Sequence, residues 1–198
     1  MKFAQALSIL SKSSPYAVST EREHYQDHLV GFKRYIYITT DIEADFKKAL
    51  LSAKSNQVIF LCGSSGDGKS EILTQYSQKH KVTHDFHLDA THSFNPSQTA
   101  IQALDQRFTQ FKQSHKPLVV GINVGMLGNY AEEGSKEHSD IKKVLRDFLS
   151  RKRSAIPKQY VFLDFEDYPK FTFNAEGCAS DFAEKFLKRL TAQTLENP

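Results

Sequence analysis

The stretch VIFLCGSSGDGKSEIL, residues 58–73, decides how the chain is read. Val58 to Cys62 are apolar without alternation, the form of a strand covered on both faces, as central strands of parallel sheets are. Helical spacing resumes after Lys69 with Ile72, Leu73 and Tyr76, so the glycines and serines between form a strand-to-helix turn. Within that turn Gly63, Gly68, Lys69 and Ser70 match G-x-x-x-x-G-K-[ST] without a gap. Gly63 lets the chain leave the strand, while Gly66 and Gly68 permit positive φ, so that successive amides can point inward as an anion nest. A helix beginning at Lys69 adds its positive dipole end and unpaired amides. The expected cradle for a nucleoside triphosphate is Gly63, Ser64, Ser65, Gly66, Asp67, Gly68, Lys69, Ser70 and Glu71. Lys69 is expected to reach the β and γ phosphates, and the Ser70 hydroxyl to coordinate magnesium. ATP and Mg2+ are the ligands this pattern implies.

The surrounding punctuation extends the alternation. TDIEADFKKALLSAK predicts a helix, with Thr40 three residues before Glu43 as a capping box and Ile42, Phe46, Ala49 and Leu50 on one face. HDFHLDA reads as a second strand ending at Asp89. The next helix is expected to start with Asn95 as cap and Pro96 at its first position, with Ile101, Leu104, Phe108 and Phe111 as its stripe. PLVVGINV is a third strand, SDIKKVLRDFLS a helix, YVFLDFED a fourth strand, and a last helix begins near Ser180 with Phe182, Phe186, Leu187 and Leu190 on one side. Together these predict an α/β chain: a three-layer αβα P-loop NTPase fold around a mainly parallel central sheet, with an N-terminal helical extension that includes MKFAQALSILSKSS. It is read as one domain over 1–198, with a lead-in to 55, a nucleotide-binding core over 56–170 and a C-terminal helix over 171–198.

Bulk properties narrow the function classes. No apolar run approaches the ~20 residues that a membrane helix requires. Cys62 and Cys178 form no disulfide framework and no C-x-x-C pair, which fits a reducing, cytoplasmic setting and argues against a structural zinc. Net charge is only +3, so any nucleic-acid contact must be local. The best local candidate holds Lys142, Lys143, Arg146, Arg151, Lys152, Arg153 and Lys158; the bland reading of Arg151, Lys152 and Arg153 is that they complement the negative end of a helix. His80, His84, His87 and His92 fit no metal-ligand spacing and read as surface histidines. Cys178 has no marked partner that would make it a nucleophile.

Hydrolysis needs a magnesium-side carboxylate and a group that orients water. Asp89, Asn123 and Asp164 compete for these roles, each at the end of an expected strand. Asp164, with Glu166 and Asp167 behind it, has the best apolar-run-then-acid shape, although strand-end acids are also common helix caps. No arginine finger can be named from the sequence.

The blocks LSKSSPYAVSTERE, IFLCGSSGDGKSEIL, FHLDATHSFNPSQTAIQALD and PLVVGINVGMLGNY, spread from near residue 5 to about 170, resemble the DptF family of DNA phosphorothioation-dependent restriction proteins. The resemblance implies an ATPase-like component of a bacterial defence system that restricts DNA lacking phosphorothioate modification, working with other restriction proteins of that system. It also implies that this chain corresponds to the N-terminal portion of longer proteins. By analogy with P-loop ATPases, it gives Asp89 the magnesium-side acid role and Asn123 a γ-phosphate sensor role, with Asp164 retained as the other acid; Asn123 as a helix cap is the competing reading. A homo-oligomer is compatible with this picture. Two other functions compete: a nucleotide-gated interaction module without turnover, and a small-molecule kinase drawing lid arginines from Arg146, Arg151 and Arg153.

Overall fold

The computed structural model describes residues 27–91, 98–175 and 177–193. They form two compact units, one of residues 45–167 and one of the described residues of 1–44 and 168–198. In chain order the elements begin with α1 (Asp27–Ile36), α2 (Asp41–Ser52), β1 (Val58–Cys62), α3 (Lys69–His80), β2 (Asp85–His87), α4 (Ala100–Gln113) and β3 (Leu118–Ile122). They continue with α5 (Val124–Glu133), α6 (Ser139–Leu149), β4 (Tyr160–Asp164), the short strands β5 (Thr172–Asn174) and β6 (Gly177–Ala179), and α7 (Asp181–Thr191).

The larger unit is α/β, a four-stranded parallel sheet in the order β2-β3-β1-β4 with helices against it. Its centre is β1, in register with both neighbours: Val58 lies opposite Leu118 and Tyr160, and Cys62 opposite Ile122 and Asp164. Every residue of β1 and β3 is buried, as the unbroken apolar runs require. Val58, Phe60 and Cys62 share a core with Val120 and Ile122 of β3, Leu104 and Phe108 of α4, Tyr130 of α5 and Phe148 of α6. Through that core runs a stack of rings, Phe60 on Phe162 at 4.7 Å and Phe162 on Phe148 at 4.1 Å. Side chains alternate along a strand, so Gly121 faces the other way from Val120 and Ile122. A Cβ on Gly121 would overlap both Leu73 Cδ1 of α3 and the Leu88 carbonyl oxygen. Only glycine lets α3 and the Leu88 backbone come so near, and α3 therefore covers the second face. Helices on both faces are compatible with a three-layer αβα arrangement.

Capping and strand pairing set two local boundaries. α4 begins at Ala100, because Thr99 and Gln102 form a reciprocal capping box: the Gln102 N–H donates to Thr99 Oγ1 at 3.2 Å, and the Thr99 N–H to Gln102 Oε1 at 2.9 Å. The expected start at Asn95 and Pro96 falls outside the described residues, as does MKFAQALSILSKSS. β2 ends at His87 rather than at Asp89, although the Ala90 N–H still donates to the Gly121 carbonyl at 2.9 Å.

In the smaller unit α1 and α7 pair. Phe32 and Ile36 pack with Tyr35, Phe186 and Leu190, and the Arg189 guanidinium donates to the carbonyls of Tyr35 and Tyr37. Of the expected α7 stripe, Phe182 and Leu187 stay exposed. β5 and β6 form an antiparallel hairpin in a region expected to be helix only. Among the described residues no helix is long and apolar enough to cross a membrane.

Candidate functional site

Because the sheet is parallel, the carboxyl ends of all its strands share one edge. From β1 the chain turns to α3 on the second face, whereas from β3 it turns to α5 on the first. Neighbouring strands whose connections leave to opposite faces open a crevice between them, the position at which open α/β sheets bind ligands. The 63–68 loop rises on the β1 side of that crevice and Asn123 on the β3 side.

Gly66 (φ 87°) and Gly68 (φ 106°) occupy the left-handed region expected of an amide nest. A Cβ at either would meet nothing within 4 Å, so their backbone faces open space. Gly63 is required for a different reason than a turn. A Cβ there would lie 2.8 Å from Phe165 Cδ2 and 2.9 Å from Asp67 Oδ2, so the loop's base is pressed against the segment after β4. Asp67 Oδ2 accepts from the Ser64 N–H at 2.5 Å, tying the loop across itself. Lys69 Nζ donates to the Ser64 carbonyl at 2.8 Å. Burial draws the Lys69 ammonium below its usual pKa, against the opposing charges of Asp67 and Asp89. Ser70 is exposed and Glu71 half-buried in the first turn of α3, and Ser64 and Ser65 are exposed on the loop.

The three expected strand-end residues lie at the same carboxyl edge of the sheet as the loop. Asp89 is exposed, and its Oδ1 accepts from the Thr91 N–H at 2.9 Å and the Thr91 hydroxyl at 2.6 Å. Asp164 is buried beside Cys62, and its Oδ1 accepts from the Glu166 N–H at 3.2 Å. Asn123 is half-buried and caps α5, with Oδ1 accepting from the Met126 N–H at 2.7 Å. Its amide NH2 is the group left to meet a phosphate. Among the described residues no three or more His, Cys, Asp or Glu side chains group so as to hold a metal. Ser70 and Asp89 offer a hydroxyl and a carboxylate oxygen, donors of the hard kind that magnesium takes.

The basic segment is largely structural. Lys142 donates to the carbonyls of Glu132 (3.0 Å) and Gly134 (2.6 Å), and Arg146 to that of Ala131 (3.0 Å), which together close the C-terminal end of α5. Lys143 pairs with Asp147 at 2.6 Å. Arg151 sits at φ 57°, with its N–H on the Phe148 carbonyl and the Lys152 N–H on that of Asp147, a Schellman end to α6. Arg153 reaches Asp167 at 3.0 Å and lies over the Phe148 ring at 4.2 Å. Lys152 and Lys158 are exposed. Arg151, Lys152 and Arg153 do follow the C-terminal end of α6 and are exposed, while the earlier pair, Lys142 and Arg146, caps a helix other than its own.

The histidines are not all on the surface. His84 is buried, with Nε2 against the Leu50 carbonyl at 2.9 Å and Nδ1 against Thr83 Oγ1 at 2.8 Å. His87 is buried at the end of β2, and burial, helped by the charge of Arg107, lowers its pKa to about 4. His92 lies outside the described residues. Cys62 is buried and its thiol is pushed up by burial and by Asp164, so it is a packed core group; Cys178 is exposed on β6. Sequence reasoning missed Phe165, against which the loop's base is pressed, and placed Asp167 only as an acid behind Asp164 rather than as the partner of Arg153. No protein-family model, curated protein or solved structure matches the chain.

Proposed function

We propose that the chain is a P-loop NTPase of three-layer αβα type that binds ATP with Mg2+ on the 63–70 loop and hydrolyses it, as a cytoplasmic component of a bacterial DNA restriction assembly. The observation that carries the nucleotide reading is the loop itself: a left-handed Gly66 and Gly68 facing open space, ahead of a helix that starts with Lys69 and Ser70, at the switch point of a parallel sheet. In this reading the loop amides hold the phosphates and Lys69 leaves the Ser64 carbonyl to neutralise them. Ser70 and Asp89 would hold the metal, which supplies charge neutralisation on the phosphate oxygens when bound. Asp89 is the preferred acid because its charge acts on the Lys69 ammonium, whereas that of Asp164 acts on Cys62. The restriction role and its partner proteins rest on the sequence resemblance to the DptF family.

Titration of the chain with ATP, wild type against Lys69→Ala, tests the reading; equal affinity would overturn it. A second reading, a nucleotide-gated interaction module without turnover, is favoured by Asp89 and Asp164 each having an oxygen engaged by a following backbone N–H. Single-turnover phosphate release that vanishes with Lys69→Ala and falls with Asp89→Asn supports the ATPase; tight binding without release supports the module. A kinase lid is disfavoured by Arg146, whose guanidinium is taken up by the Ala131 carbonyl.

A further inference from the structure

We infer that Arg153 is the in-cis arginine of this site, its guanidinium stationed at the loop's base to bind the phosphate groups of a nucleoside triphosphate. The inference rests on the nucleotide reading above. A chain of contacts carries it. Gly63, the first loop residue, is pressed against Phe165; Asp167 follows in the same turn; and Asp167 Oδ2 accepts from Arg153 Nη2 at 3.0 Å. From the other side the guanidinium rests on Phe148, the outer ring of the stack that runs through Phe162 to Phe60 on β1 itself. Arg153 is thus held from two directions at the sheet edge where Lys69 stands.

Electrostatics agree with this placement. The buried Cys62 thiol, one residue before the loop, is pushed up by burial and by Asp164, and the cations acting against that rise are Arg153 and Lys69. The backbone route explains how a residue ninety positions from the loop returns to it. α5 leads away from the carboxyl edge, α6 packs against it and leads back, and the Schellman end with Arg151 left-handed turns the chain into Lys152 and Arg153.

Arg153 is also available. Its side chain is 43% exposed and that of Asp167 is 56% exposed. An ion pair so open to water contributes little, so phosphate oxygens can take over the guanidinium at little cost. A planar guanidinium suits paired phosphate oxygens better than an ammonium does. Asp167 then occupies the guanidinium only until phosphate oxygens compete for it.

The test uses the full chain and a fluorescent ATP analogue competed by unlabelled ATP, with wild type, Lys69→Ala, Arg153→Ala, Arg153→Gln and Asp167→Asn. Loss of a charged hydrogen bond predicts about tenfold weaker ATP binding for Arg153→Ala. Arg153→Gln, which keeps the stem over Phe148, should weaken equally, and it carries the test if the alanine variant is poorly folded. Asp167→Asn should bind at or above wild-type affinity, because it releases the guanidinium. A merely structural ion pair predicts instead that Arg153→Gln and Asp167→Asn behave alike, and that outcome, or wild-type affinity in both arginine variants, overturns the inference. If wild type and Lys69→Ala bind ATP equally, the nucleotide reading fails and takes this inference with it; if only Lys69→Ala loses binding, the reading stands and the role of Arg153 alone is lost.

Discussion

The ammonium of Lys69 donates to the carbonyl of Ser64 at 2.8 Å, across the loop to which both residues belong. The bond is exposed, so it adds little stability; exchange with water leaves a net contribution near 1 kcal/mol or less. Lys69→Met should therefore unfold in urea within about 1 kcal/mol of wild type while losing ATP binding. Chemical denaturation beside a nucleotide titration checks both parts, and a variant that lost stability but kept affinity would make Lys69 a structural brace.

Gly66 and Gly68 hold the same loop open by backbone geometry. An L-residue at these φ values costs roughly 1–2 kcal/mol per position, and neither added Cβ meets a neighbour that could aggravate it. Gly66→Ala and Gly68→Ala should each fall in stability by about that amount. A thermal melt reads it, and an unchanged midpoint would mean that the loop relaxes to another conformation.

The histidine at the end of β2 makes stability depend on pH. His87 is neutral in the folded chain, with a pKa lowered to about 4 from 6.5, so the unfolded chain takes up its proton first. Its contribution is whole above about 6.5 and is lost as pH falls towards about 4, a total of about 3 kcal/mol. Asp89 opposes the shift and Arg107 reinforces it, so both charges belong to the comparison. Urea midpoints measured between these limits should fall more steeply for wild type than for His87→Gln, and parallel slopes would remove the assignment.

How legible each part was follows from where its partner lies in the chain. The strand, the loop and α3 could be read because their signals are local: an unbroken apolar run, glycines where φ turns positive, and helical spacing directly after. The expected cap at Asn95 and Pro96 lies outside the described residues, and within them the reciprocal Thr99–Gln102 box opens α4. Asp89, Asn123 and Asp164 could be named as strand ends, but which of their oxygens engage a turn or a cap depends on backbone geometry that composition does not show. Least visible was the basic stretch. The carbonyls that Lys142 and Arg146 close belong to α5, so the contact depends on how two separate helices pack, which no local pattern in the basic stretch encodes.

That capping role separates the basic residues into two groups with different expected behaviour. Lys142→Ala and Arg146→Ala should each destabilise the chain by about 1 kcal/mol, the scale of a charge placed at a helix C-terminus, with no change in DNA retention. Lys152→Glu with Lys158→Glu removes exposed charge without touching a cap. If the segment binds DNA, only the second pair flattens the salt dependence of binding, by about one unit of slope for each phosphate no longer neutralised. A mobility-shift series over salt concentration distinguishes them; an unchanged slope returns Lys152 and Lys158 to the solvated face.

Gly121 joins the fold to the site most directly. It is the fourth residue of β3, two before Asn123, and its carbonyl accepts from the Ala90 N–H, one residue after Asp89. An added methyl would meet two obstacles that differ in kind. Leu73 Cδ1 is the far end of a flexible side chain and can rotate away; the Leu88 carbonyl is backbone and can move only if the β2 exit moves with it. Gly121→Ala should thus cost about 1–3 kcal/mol through overpacking and shift the strand end that carries Asp89. Leu73→Ala on the same background relieves the first obstacle alone. Restoration of both stability and ATP hydrolysis in the double variant would place the conflict at α3. Continued loss of hydrolysis in a chain that still binds ATP is the expected result, because it traces the defect to the carboxylate displaced with Leu88.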